Sequence, residues 1–246
     1  MKISVVIPCH NAAARLPRAV HSVVKQGLVG IEVIVVATVA VAEQLRTGVP
    51  NLRIVREPTN GGVASACNAG LAEARGEYVC FLDPEDSYGD DVFARALAVL
   101  DEAPWIQALD FPIGPLDNRG DISHEERDAI ADTLASNVVV RREFAQSLGG
   151  FPGSSVAFRA ALREWGNIWR LDDVFLDRAP RLAPDASNAG LQQGVSEHSK
   201  RVAERMRAAA GIKKTRVLHV SGDRGNFKFE PFDFETFDTD TSFSSR

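Results

Sequence analysis

The sequence predicts an α/β fold, with a mostly parallel central sheet, helices on both faces, and a C-terminal helix and tail. Three observations lead there. Short apolar runs alternate with helix-period segments through the first 110 residues. The runs are continuous rather than alternating, so neither face of the sheet is wet. The strand–helix–strand spacing matches parallel strands joined by crossover helices.

The elements follow in order. Residues 3–7 (ISVVI) form a β-branched strand. Leu16, Ala19, Val20, Val23 and Val24 share one face of a helix, with Asn11 placed to cap it. Residues 32–36 (EVIVV), 52–55 and 78–82 continue the sheet, and an alanine-rich helix occupies 63–74. Helices are expected over 91–100, 124–134, 142–147 and 156–165. Strands are expected over 105–111 and 137–141, with an extended segment over 168–176. The boundaries suggest one domain over 1–190 and an appendage over 191–246. Within the appendage, 196–210 reads as a helix in a stretch holding seven Lys/Arg against two Glu over 196–216. FEPFDFETFDTDTSF follows, with five carboxylates and no base. It reads as an edge strand, as a docking tail through which copies of the chain could self-associate, or as disorder.

Composition narrows the function. Hydrophobic residues make up 45% and charged residues 25% of 246 positions, the balance of a globular chain with a sizeable core. A net charge of −5 gives no electrostatic reason to expect nucleic acid. No run approaches the roughly 18–20 apolar residues of a transmembrane segment. MKISVVIPCHN has too short an apolar stretch for a signal peptide and reads as an opening strand. Cys9, Cys67 and Cys80 lack metal-ligand spacing and read as buried or near-site thiols of a reducing cytosol.

Ligands of such sheets bind at the carboxyl ends of the strands, so chemistry is sought after Ile7, Val36 and Leu82. LDPED places Asp83, Glu85 and Asp86 at a strand end, with Pro84 forcing a turn. Carboxylates so close repel unless a cation or solvent offsets them. Hard oxygen donors suit Mg2+ or Mn2+ bridging a diphosphate, although a solvated turn capping the next helix has the same spelling. Asn60-Gly61-Gly62 opens a helix whose free N–H groups could meet an anion, or simply makes a tight turn. After Val36 the chain reads ATVAVA, an apolar loop where a polar one is usual.

Taken together, SVVIPCHNAAARLPRAVHSVVKQ, EVIVV, the 60–79 stretch and FLDPED resemble the amino half of family 2 glycosyltransferases of the GT-A fold. SNVVVRREFAQSLGGFP resembles the family's strand–helix–GGF stretch before the acceptor region, and GNIWRLDDVFLDRAPR its closing strand. The likeness covers about residues 2–182. It implies transfer of a sugar from a nucleotide-diphospho-sugar donor to a glycan, lipid-linked or cell-envelope acceptor hydroxyl, usually with inversion. A metal would neutralise the leaving diphosphate, and a carboxylate from the acceptor half would act as general base. Pro8, His10 and Asn11 match the nucleoside loop, and Asn60, Gly61, Asn68 and Asp83 complete the implied nucleotide-sugar set. Asp83, Glu85 and Asp86 match the metal motif, for Mn2+ or Mg2+. The implied location is cytoplasmic or membrane-peripheral.

Three positions depart from the family. Its acid after the second strand is replaced by Ala37-Thr38, and its arginine before Asn68 by Cys67. Its catalytic Glu-Asp after GGFP is replaced by Ser154-Ser155, and a serine hydroxyl is a poor base near neutral pH. Asp172, Asp173 and Glu164 are the candidates for a substitute base. The alternative is a catalytically inactive relative that serves as a binding or regulatory subunit.

Overall fold

Two dry faces of one sheet organise the molecule. The structure, a computed structural model, describes residues 1–10, 14–44, 49–58, 61–112, 135–166, 168–171, 174, 176–178, 218–221 and 228–231. In chain order the strands are β1 (Ile3–Cys9), β2 (Ile31–Ala37), β3 (Leu52–Arg56), β4 (Tyr78–Phe81), β5 (Asp86–Tyr88), β6 (Ala108–Asp110), β7 (Val138–Arg141), β8 (Ile168–Leu171), β9 (Leu176–Arg178), β10 (Leu218–Ser221) and β11 (Lys228–Pro231). The helices are α1 (Leu16–Val24), α2 (Val39–Gln44), α3 (Gly62–Glu73), α4 (Val92–Glu102), α5 (Arg142–Ser147) and α6 (Ser155–Trp165).

Among the described residues, nine strands form the main sheet in the order β11-β10-β8-β6-β7-β4-β1-β2-β3, while β5 and β9 pair separately. The half from β4 to β3 is wholly parallel, as continuous apolar runs require. Antiparallel pairing enters through β7, between β4 and β6. The segment after residue 190 joins the same sheet, because β10 runs parallel to β8 and β11 closes that edge. Part of the Phe-rich acidic stretch is therefore an edge strand. The helices expected over 124–134 and 196–210, and the tail beyond 231, lie outside the described residues.

Alternate residues of each parallel strand supply two cores, following the period-two geometry of strands. Val5, Ile7, Val33, Val35, Tyr78 and Cys80 face one cluster, together with α1 and α4. Val6, Ile34, Val36, Val79 and Phe81 face the other, with α3, α5 and α6. Gly70 lets α3 approach closely, since a Cβ there would strike Val6. On the α6 side, Arg159 donates to the buried Asp110 carboxylate at 2.7 Å, fixing that helix to β6.

Two local expectations change. The first helix begins at Leu16 with Arg15 at its N-cap and no side-chain cap; Pro17 in its first turn sets the start, so Asn11 is too far upstream to cap it. Val24 belongs to that helix but is 44% exposed, off the buried stripe. No helix among the described residues is long and apolar enough to cross a membrane.

Candidate active site

Strands β4, β1, β2 and β3 stand side by side and parallel, so their carboxyl ends open onto one rim. A cavity of about 280 Å³ lies there, lined by residues that follow β1, β2 and β3, among them His10, Thr38, Val39, Glu57 and Gly61. Pro8 is the penultimate residue of β1 and pairs in register with Val36. His10 follows β1 directly, and its Nδ1 lies 2.8 Å from Glu57 Oε2. Asn11 and Asn60 lie outside the described residues.

The apolar stretch after β2 is a helix rather than a loop. Thr38 Oγ1 accepts from the Val41 N–H at 3.4 Å, in the manner of an N-cap, and α2 follows at once. Val41 packs into the core while Val39 is half exposed beside the cavity. The run is therefore apolar because one turn of helix needs an inward face. A loop signal was expected because the segment lacks the length for helix periodicity to be visible.

After β4 the chain makes the carboxylate turn. Asp83 Oδ1 accepts from the Glu85 N–H at 2.9 Å, and the Asp83 N–H donates to Ser136 Oγ at 3.0 Å. Arg15, from the segment after β1, holds Glu85 at 3.1 Å. Asp86 begins β5 and is 1% exposed. Among the described residues no three His, Cys, Asp or Glu side chains stand together as a metal cage. A magnesium or manganese ion carried by a diphosphate, however, takes only one or two protein carboxylates. Asp83 and Glu85, half-buried on one turn, fit that smaller demand.

Other site candidates turn out to have structural partners. Cys67 is 1% exposed, and burial pushes its thiol up, with the Asp83 carboxylate adding to the effect. It is a neutral core residue at neutral pH. Asn68 bridges to Phe151 in both directions: its amide donates to the Phe151 carbonyl at 3.0 Å and its Oδ1 accepts from the Phe151 N–H at 2.7 Å. Ser154 caps α6, its Oγ accepting from the Ala157 N–H at 3.1 Å, and Ser155 opens that helix. Glu164 sits ten residues beyond Ser154, about 15 Å along the helix. Asp172 and Asp173 lie outside the described residues.

Two residues escaped the sequence reading. Glu57 and Arg15 both border the rim, the first after β3 and the second before α1. Glu57 had a legible signal, a carboxylate and Pro58 closing a strand; Arg15 had none, because its partner is seventy residues away.

The family model for Glycosyl transferase family 2 matches residues 4–165, about two thirds of the chain. The chain belongs to that family. Among curated relatives of the chain, the Minor teichoic acid biosynthesis protein GgaB of Bacillus subtilis (strain 168) is 33% identical over 107 residues. That match covers 40% of this chain and 12% of GgaB, so the chain spans only a small part of such relatives. Among solved structures, Staphylococcus aureus TarS in complex with UDP-GlcNAc superposes with a TM-score of 0.68 at 21% identity. It covers 87% of this chain and 68% of that one. The mannosyltransferase PcManGT from Pyrobaculum calidifontis, in complex with GDP-Man and Mn2+, gives 0.61 at 19% identity, covering 86% and 76%. These likenesses show that the chain has the GT-A fold expected from its sequence.

Proposed function

We propose that the chain transfers a sugar from a nucleotide diphosphate donor to an acceptor hydroxyl of a cell-envelope glycan or lipid-linked saccharide. The transfer is inverting and metal-dependent in this reading, and takes place in the cytoplasm or at the membrane surface. One observation carries it: a cavity over the ends of β1–β3 opens on the same rim of the sheet as the carboxylate turn after β4, within the fold of the family. The nucleoside takes the cavity and the diphosphate takes the turn. Asp83 and Glu85 would hold a magnesium or manganese ion, which neutralises charge on the leaving diphosphate. GgaB, by its name a teichoic acid biosynthesis protein, supports an envelope acceptor.

A second reading, a non-catalytic binding or regulatory subunit, draws on Ser154. Its hydroxyl stands at the family's base position but is committed to capping α6. One experiment separates the two. UDP-, GDP- and dTDP-sugars are titrated with Mn2+ and donor hydrolysis is followed. Metal-dependent hydrolysis, lost in Asp83→Ala, is expected. Binding without turnover, even with an acceptor extract present, favours the second reading, and no binding at millimolar donor overturns both.

A further inference from the structure

We infer that Glu57 reads the base of the nucleotide and selects bases whose pairing edge carries a ring N–H. The inference rests on the nucleotide donor proposed above and gives that site its missing base-recognition residue.

The acid implied after β2 is absent. Ala37 stands there, fully buried in the core. The adjacent strand supplies a carboxylate instead. In register, Arg56 of β3 partners Ala37, and the next N–H along, that of Glu57, donates to the Ala37 carbonyl at 2.9 Å. Glu57 is thus the first residue beyond the ladder, one strand over from position 37. Its side chain is 6% exposed, and both carboxylate oxygens lie near His10 Nδ1, at 2.8 and 3.0 Å.

That arrangement prepares an acceptor. A ring nitrogen bonded to a carboxylate carries the proton, so His10 orients the group from one side. An ionised carboxylate has about four lone-pair positions, and one ring N–H leaves most of them open. Burying such a group without further donors is costly, yet Glu57 lines the cavity itself. A ligand with an N–H at that wall would complete it.

Position makes the ligand group a base. In the strand order β4-β1-β2-β3, Glu57 is three strand spacings from the Asp83 turn. That is about 14 Å at the usual interstrand distance, the scale of an extended nucleoside diphosphate. With the diphosphate at the turn, the base reaches the β3 end. Uracil and thymine offer N3–H there, and guanine offers N1–H beside its exocyclic amine. Cytosine and adenine present a lone pair at the matching ring nitrogen, which repels a carboxylate.

The test is calorimetric titration of UDP, dTDP, GDP, CDP and ADP with Mn2+, into the wild-type chain and Glu57→Gln. At least one of UDP, dTDP and GDP should bind tighter than CDP and ADP by on the order of 10–100-fold, the scale of one polar partner left unmade. Glutamine can turn either its donor or its acceptor to the base, so the variant should bring the two groups close to equal. N3-methyl-UDP and N1-methyl-GDP, which lack the ring N–H, supply a readout that needs no variant; each should bind the wild type with a similar loss. Equal wild-type affinity for all five, undiminished binding of the methylated analogue of the preferred nucleotide, or unchanged selectivity in a folded Glu57→Gln would overturn the inference alone. Binding of no nucleotide diphosphate would overturn the donor reading with it.

Discussion

Ser154, which the family resemblance aligns with a catalytic acid, works in the fold as a helix cap. A serine hydroxyl cannot take a proton from a sugar near neutral pH, but it satisfies one of the open N–H groups at a helix start. Here it bonds the Ala157 N–H. Ser154→Ala should therefore lower stability by about 0.5–2 kcal/mol, seen as a shift of the urea midpoint at unchanged slope. Donor hydrolysis should continue at the wild-type rate. A collapse of hydrolysis in a stably folded Ser154→Ala would return the residue to the chemistry. Cys67 belongs at this scale too. With its thiol buried and its ionisation pushed up, it is a neutral core residue.

Between elements, the Asn68 amide acts as a peptide unit spliced into another segment. It pairs with both backbone groups of Phe151 and ties α3 to the turn before α6. Gly150 makes the approach possible: its φ is +84°, and a Cβ would collide with Asn68 Oδ1. That turn also sets where α6 starts. Asn68→Ala removes a donor and an acceptor together and leaves two backbone groups of Phe151 without them. The expected cost is about 2–4 kcal/mol, measured by chemical denaturation. Wild-type stability in that variant would mean the clamp is incidental.

Across the whole molecule, a polar cluster at the amino ends of β1 and β2 complements the functional rim at the other end. Glu32 is buried at 2% exposure and accepts from Ser4 Oγ, the Arg75 N–H and Arg53. Burial pushes its carboxyl up, but Ser4, Arg75 and Arg53 together outweigh that and hold it below its ordinary 4.5. A depressed folded value stabilises the fold above about pH 4.5, and the contribution fades as pH falls through that lower value. Glu32→Gln should lose stability at pH 7 and show a flatter decline between pH 4.5 and pH 2 than the wild type. Thermal melts across that range check it; parallel acid limbs in the two proteins would remove Glu32 as their source.

Local pattern by itself determined the parallel half of the sheet, its covering helices and the carboxylate turn. Continuous apolar strands, 3.6-period faces and Asp83-Pro84-Glu85-Asp86 are written within a few residues of one another. Only the tertiary structure decided which partners those residues meet. Position 37 reads as a lost acid until β3 brings Glu57 to its side. Asn68 reads as a nucleotide contact, and only the fold reveals that its amide also bonds Phe151; ATVAVA reads as a loop until the core claims Val41. Each outcome depends on a partner distant along the chain, and pairings at that separation leave no period in the sequence. The strand ends are legible in the sequence; the neighbours that each side chain meets across them are not.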